Sequence, residues 1–531
     1  MERSQRLRWV GLVFIGIAVS LIIVDSTIVN VAIPAIVDDL GITSTEVQWV
    51  QESYTLVFAA LLLVFGSLAD RFGRRRIMIV GVVVFAAASV LAATAPSGGV
   101  LILARLVQGV GGAMILPTTL SIINATFRGR ERGIAFAVWG STIGGMAAVG
   151  PLLGGWLTTA FSWRWAFGIN IPLGLLIVIG VLLTVAESRG ERAERIDVVG
   201  AVLSVLTMGS LVFALIEGRT YGWWFVDERP RIGDWTWPGD LSPIPLAFAV
   251  AILGLVAFIA WGLHRQRRGR STLLALRLFA IPSFRNGNIA AAVVSLGEFG
   301  LILALPLWLQ FVLGFDALQT GLLLLALAGG SFLASGVAGA ASGRIAPVWV
   351  VRVGLLAEIV GVAGVGLVIA PDASWVPLVP FLFVYGLGVG LATAQLTGVV
   401  LADVPVADSG AASGTQSTSR QLGAALGVAV LGTVLFTSTA AALGSALDDR
   451  SVPSAERDQV VSAVVDSAGA AIAGLDRDPE TAPFAELARS AFSDGTRYAA
   501  WTAAGFLAVG LLSTVALGSP RSRQEEEQPA S

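Results

Sequence analysis

The sequence predicts an all-α integral membrane protein. Hydrophobic residues make up 55% and charged residues 13% of 531 positions, and the mean hydropathy is +0.80, far from the balance of a water-soluble chain. A helix needs roughly 20 apolar residues to cross a hydrocarbon core of about 30 Å. About fourteen windows of that kind recur along the chain.

In chain order the first window is 9–35, which follows Arg3, Arg6 and Arg8 and is interrupted by Asp25. Its apolar stretch is too long for a cleaved signal peptide and lacks a small-residue cleavage pattern. Window 49–68 runs into the charged stretch 66–76, and 77–94 leaves it; 100–123 and 135–157 flank Arg128 to Arg132. Windows 165–185 and 198–215 flank Arg189 to Arg195, and 245–261 ends at His264 and the basic stretch Arg265 to Arg285. Windows 289–312 and 321–341 follow, 348–370 lies beyond Arg344, and 375–399, 411–436 and 499–517 complete the set.

Orientation follows from the arginines, because short cytoplasmic loops carry the basic excess. Arginine clusters fill every second connection, whereas the intervening ones are tiny or acidic, with Asp38, Asp39 and Glu46 in the first and Asp316 and Asp372 later. An even number of spans places both termini in the cytoplasm, including Arg521, Arg523 and the acidic tail Glu525 to Glu527.

Several function classes are excluded by what the chain lacks. There is no cysteine and a single histidine, so thiolate and histidine metal sites cannot be assembled. There is no lysine, which rules out a Walker A phosphate loop and a Schiff-base nucleophile. A net charge of −2 gives no basis for a nucleic-acid partner.

What remains is a handful of charges at membrane depth, where an ionisable side chain is costly enough to be functional by default. Asp25 lies about 15 Å from the outer end of its span and Arg105 about 10 Å into the fourth, by helical rise. At similar depth a carboxylate and a guanidinium can neutralise each other, and protonating Asp25 releases the partner. Glu298 reaches the midplane of the ninth window and Glu358 a similar depth in the eleventh; each can carry a proton. Gln108, Asn170, Gln310 and Gln395 are polar side chains within spans and, with Glu358, candidates for a substrate cavity.

Three motifs bring these residues into a known pattern. GSLADRFGRRR at 66–76 is similar to the G-x-L-a-D-r-x-G-r-r signature between spans two and three of the major facilitator superfamily. RLVQGVGG at 105–112 resembles its R-x-x-Q-G-x-G-g motif of span four. GPLLGG at 150–155 resembles the G-P-x-x-G-G motif of span five that is associated with antiporters. LIIVDSTIVNVAIPAI at 21–36, WRWAFGINIPLG at 163–174 and GAASGTQSTSRQLGAALGVAVLG at 410–432 narrow the resemblance to drug:proton antiporters with fourteen spans.

The resemblance implies a major facilitator fold: a six-helix bundle over 1–186, an inserted pair of transmembrane helices over 187–285, a second six-helix bundle over 286–519 with an extracellular loop at 437–498, and a cytoplasmic tail over 520–531. It implies proton-coupled export of amphiphilic drugs or antibiotics across the inner (cytoplasmic) membrane of a bacterium, by a monomer that is no enzyme. It needs no cofactor and draws on the proton gradient. Its partners are small amphiphilic molecules, protons and lipid. An exporter of an endogenous metabolite or lipid fits the same scaffold; a non-transporting sensor fits poorly, since no signalling domain is present. Asp25, Arg105 and Glu298 would couple protons. Gly66, Asp70, Arg71, Gly73 and Arg74 would gate the cytoplasmic side, with Asp70 able to cap a neighbouring helix. Gly150, Pro151, Gly154 and Gly155 would set helix packing.

The chain departs from a symmetric pattern in its second half. The connection 343–352 has no aspartate, so the latch is one-sided. The outward connection 437–498 is too long for a simple loop; an Ala/Val/Ile pattern at 455–475 predicts an amphipathic helix there. The outward insert 218–240 carries Trp223, Trp224, Trp235 and Trp237, residues suited to anchoring at a membrane interface.

Overall fold

The computed structural model describes residues 2–516 apart from 43, 190–196, 233–234, 269, 271, 273–275, 342–343, 406–407, 468 and 478–480. The basic connection 189–195 and the tail 520–531 therefore lie largely or wholly outside the described residues.

The apolar windows fold as long helices, each ended by a recognisable stop. The first half comprises α1 (Glu2–Leu40), α2 (Ser44–Phe72), α3 (Arg74–Ala93), α4 (Gly98–Thr126), α5 (Gly129–Ala160) and a broken sixth helix, α6 (Arg164–Gly168) followed by α7 (Asn170–Thr184). Two helices follow, α8 (Val198–Tyr221) and α9 (Pro243–Arg267). The second half comprises α10 (Pro282–Phe311), α11 (Ala317–Ala341), α12 (Pro347–Val368), α13 (Leu378–Leu401), α14 (Ser409–Asp449) and α17 (Ala482–Ser513), with short α15 (Ser454–Asp466) and α16 (Ala471–Leu475) before the last. Between α8 and α9 lies a small antiparallel hairpin, β1 (Arg231–Ile232) against β2 (Trp235–Thr236), an element the helical windows do not predict.

Among the described residues, twelve helices are long and apolar enough to cross a membrane. Helices α5 and α17 are 32 residues each and pack among them. Their composition differs: α5 is rich in Gly, Ser and Thr, and α17 carries Glu486, Arg489, Asp494 and Arg497.

The first half closes on itself through α3 on α4, α2 on α4 and α1 on α5, and the second through α12 on α13 and α10 on α14 and α17. The halves meet where α5 packs on α11 and α13 and where α2 and α4 pack on α14. The inserted helices pack on each other and touch the rest through α8 against α2 and α14. Asp197 fastens the pair. As the N-cap of α8 it accepts from Gly200 N, it also accepts from Trp261 Nε1 on α9 at 2.8 Å, and it sits 3.6 Å from Arg265.

The helices on either side run into the segment 437–498. Helix α14 continues to Asp449, because its alanine-rich stretch holds no proline until Pro453, and it stops just before Ser451, which lies in the left-handed region at φ +58°. Helix α17 begins at Ala482, well before 498. The pattern at 455–475 is helical but split into α15 and α16, with Val460, Val464 and Ile472 buried. In the other insert Trp224 and Trp235 stand exposed, while Trp223 stacks on Phe248.

At the far end of the first half, Asp39 on α1 accepts from Trp163 Nε1 at 3.0 Å and pairs with Arg164 at 2.5 Å. The Arg164 hydrogen bond, with that of Trp163, holds the Asp39 carboxyl below the usual carboxylate range. A depressed carboxyl stabilises the fold above its unfolded pKa and loses that contribution as pH falls through the folded value. Asp39→Asn is thus expected to lower the melting temperature at neutral pH, and the difference from the parent should vanish in acid below the carboxylate range. A difference that persists there would place the effect in packing instead of charge.

Candidate functional site

The span-four motif is a packing device first. A Cβ on Gly109 would come within 2.7 Å of the Tyr54 carbonyl on α2, and one on Gly111 within 2.8 Å of the Gly81 carbonyl on α3. One on Gly112 would meet Phe58 and the Tyr54 hydroxyl at 3.0 Å. These three glycines let α4 sit against both neighbours, which carries Arg105 and Gln108 into the centre of the first half.

There they meet Asp25. Asp25 is 0% and Arg105 1% exposed. Arg105 Nη1 donates to Asp25 Oδ2 at 2.5 Å, while Gln108 Nε2 at 3.1 Å and Asn170 Nδ2 at 2.7 Å donate to Oδ1. Arg105 also donates to Gln108 Oε1 at 2.9 Å and, through Nε, to the Val50 carbonyl at 3.0 Å, and its guanidinium lies 4.4 Å over the Tyr54 ring. Ser89 on α3 closes the network, accepting from Gln108 at 2.9 Å and Asn170 at 3.2 Å while donating to the Phe85 carbonyl. One carboxylate thus receives donors from α4 and α7 and is cross-braced to α2 and α3. The depth argument foresees the Asp25–Arg105 pair, and Gln108 and Asn170 join it directly. Ser89, Tyr54 and the Val50 carbonyl are missed, since no charge marks them.

The span-five motif packs beside this carboxylate. A Cβ on Gly150 would overlap Thr27 and one on Gly154 would come within 2.9 Å of the Ile28 carbonyl, both on α1 just past Asp25. Gly155 is buried and Pro151 half-buried within α5. Gly150→Val is expected to force α5 from α1 at an overpacking cost of about 1–3 kcal/mol and to suppress transport. Transport rate together with the melting temperature of the purified protein checks this; parent-like values of both would remove the motif's packing role.

At the arginine-rich end the 66–76 run does three things. Asp70 Oδ1 receives Arg74 Nε at 3.0 Å and Nη2 at 2.7 Å, with Arg74 itself 0% exposed. Asp70 Oδ2 accepts from the backbone N–H of Ala411 at 3.1 Å, capping the N-terminus of α14 across the halves. Gly73, at φ +112°, makes the turn into α3, and a Cβ there would run into the Glu187 carboxylate at 2.7 Å. Glu187 accepts from Arg75 N and Arg76 N, so it caps α3 as Asp70 caps α14; the motif alone does not reveal it. Gly66 is buried near Gly414 of α14, and the Arg71 guanidinium lies 5.5 Å over Phe72. Asn124 donates to Ser409 Oγ at 2.9 Å and Arg132 to the Ala402 carbonyl at 3.4 Å, so the halves are joined at this end by more than Asp70. In the connection without aspartate, Arg352 donates to the Thr514 carbonyl at 3.1 Å.

The second half holds its own buried polar group. Glu298 on α10 accepts from Thr393 Oγ1 at 3.1 Å and lies 3.7 Å from Arg420 of α14, and its backbone carbonyl accepts from Tyr385 at 3.1 Å. Glu358 is fully buried on α12. Gln310 is half-buried near the end of α10 and Gln395 is buried on α13; among the described residues neither bonds to Asp25 or Glu298. No group of three or more metal-ligating side chains occurs among the described residues.

Residues 15–428 match the family model described as Major Facilitator Superfamily. The chain belongs to the major facilitator superfamily. It is 36% identical over 454 residues to the "Probable actinorhodin transporter" of Streptomyces coelicolor, covering 83% of this chain and 75% of that protein. It is 34% identical over 497 residues to the "Multidrug efflux pump LfrA" of Mycolicibacterium smegmatis, covering 93% of each. Among solved structures the proton:xylose symporter XylE superposes with a TM-score of 0.60 at 12% identity, covering 96% of this chain and 95% of that one, which shows the shared fold. The superfamily is one of transporters and not of enzymes, and the chain is a multi-pass membrane protein of that kind.

Proposed function

We propose that the chain exports an amphiphilic drug or antibiotic in exchange for protons, by alternating access about a cavity between its two halves. The observation that carries this reading is the Asp25 carboxylate, sealed from water inside the first half and held by Arg105, Gln108 and Asn170 together. Protonating Asp25 removes the charge that three donors bind, so α1 is freed to shift against α4 and α7; deprotonation restores the grip. The similarity to antibiotic and multidrug exporters supports the direction of transport and the substrate class.

In this reading fourteen helices span the inner membrane of a bacterium, α5 and α17 among them, and the arginine-rich end and both termini are cytoplasmic. The partition is 1–186, 187–285 and 286–519, in a monomer driven by the proton gradient without a cofactor. Asp70, Arg71, Gly73 and Arg74 gate the cytoplasmic side, and the closed contacts at that end correspond to a cavity open outward, ready to take protons. Glu298 and the polar side chains Gln310 and Gln395 line or border the substrate path.

The test is uptake of candidate compounds into inverted vesicles under an imposed pH gradient, comparing the parent with Asp25→Asn. The parent should accumulate substrate only with the gradient, and Asp25→Asn should lose gradient-driven uptake at least tenfold, a barrier of about 1.4 kcal/mol or more. Uptake indifferent to both would sink the reading.

A further inference from the structure

Glu358 is a buried carboxyl group of the second half whose chemistry is left unaccounted for. It is 0% exposed, and neither of its carboxyl oxygens finds a hydrogen-bond donor among the described residues. It sits where α12 and α13 approach through glycine: a Cβ on Gly388 would come within 2.5 Å of Glu358 Cγ, and a Cβ on Gly361 within 2.5 Å of Tyr385 N.

The charged and titratable groups around it are few. From α10 comes Glu298, from α14 Arg420 and from α13 Tyr385. On α17, Arg497 bonds Asp494 and the Ile369 carbonyl beyond the far end of α12, and Arg352 on α12 itself is bound to Thr514. Among the described residues one cation therefore serves two carboxyl groups, and it is placed on Glu298. An ionised carboxylate with no donor in such a site is strongly disfavoured. Glu358 avoids that state by holding a proton.

The arrangement parallels the first half. Asp25, Ser89 and Arg105 come from its first, third and fourth helices; Glu298, Glu358 and Tyr385 come from the corresponding α10, α12 and α13. The difference is that the third helix contributes a carboxyl group where the first half has a hydroxyl.

We propose that Glu358 is a second proton site of the carrier, with Glu298 as its exchange partner and Arg420 as the switch between them. This rests on the proton-driven reading above. While Arg420 stays on Glu298, the proton stays on Glu358. Arg420 lies nine residues along α14 from Ala411, about 14 Å by helical rise, on the helix that Asp70 caps. Release of that cap lets α14 withdraw Arg420, which leaves the Glu298 carboxylate without its cation and open to a proton. The O–H bond at Glu358 breaks, one forms at Glu298, and Glu298 then gives the proton to the cavity.

The test is infrared difference spectroscopy on the purified full chain at neutral pH, where a protonated carboxyl without hydrogen bonds absorbs at the high edge of the carbonyl region. The parent should show this band, Glu358→Gln should lack it, and Asp25→Asn should keep it. Its absence from the parent, a measurement that needs no variant, overturns the proposal, as does its survival in Glu358→Gln. In vesicles Glu358→Gln should lower the protons exchanged per substrate about twofold. A parent that responds to the pH gradient while Glu358→Gln keeps the parent's proton count sinks the second site alone. A parent that ignores the gradient sinks the antiport reading itself.

Discussion

Replacing Arg105 with alanine is expected to destabilise the protein by about 3–5 kcal/mol, the usual cost of removing one partner from a buried ion pair. The cost arises because Asp25 stays behind at 0% exposure. Among the described residues it keeps Gln108 and Asn170 as donors, the Val50 carbonyl loses the Arg105 Nε–H, and Tyr54 loses the cation over its ring. Asp25→Asn in the same chain removes the orphaned charge, so the double variant should regain about 2 kcal/mol relative to Arg105→Ala. Neither should export against a gradient. Unfolding of the four proteins in mixed micelles measures the cycle. A double variant no more stable than Arg105→Ala would show that the loss comes from the cavity and not from the charge.

The core of this site was legible in the sequence for one physical reason: a charge inside a bilayer must be neutralised, and Asp25 and Arg105 are charges at matching depth. The same rule would have found Arg420, an arginine inside the apolar window 411–436, and with it the partner of Glu298. Ser89 and Tyr54 could not be found that way. A serine or tyrosine in a span costs little, and only the packing of α3 and α2 on α4 turns them inward. Glu187 escaped because its task, capping α3 across the Gly73 turn, depends on two segments about 110 residues apart.

The fold was legible where composition forces a helix and less so where helices end. Apolar windows locate the spans, but a helix runs past its apolar stretch whenever nothing stops it. That is why α14 reaches Asp449 and α17 starts at Ala482. The β1–β2 hairpin, two residues to a strand, is too short to leave an alternating pattern.

Asp70→Ala is expected to open the arginine-rich end. The carboxylate holds the fully buried Arg74 on its own side and accepts from the Ala411 N–H on the other. The contact to Ala411 joins the halves. A carboxylate at a helix N-terminus contributes up to about 2 kcal/mol in a partly buried geometry, which corresponds to roughly a thirty-fold shift of a two-state equilibrium. Loss of Asp70 also leaves the Arg74 guanidinium buried without that carboxylate, which adds to the penalty on the closed state. Asn124 and Arg132 still bridge to Ser409 and Ala402, so the shift should be partial, and adding Asn124→Ala should extend it. The chain contains no cysteine, so spin labels on Arg128→Cys and Ala402→Cys report one distance across this end without background. The closed parent should give a short distance, Asp70→Ala a mixture with a longer one, and Glu187→Ala a distribution close to the parent's, because Glu187 caps α3 within the first half and not across it. An unchanged distance in Asp70→Ala would show that the remaining contacts alone hold the end shut, and that Asp70 serves only to seat Arg74.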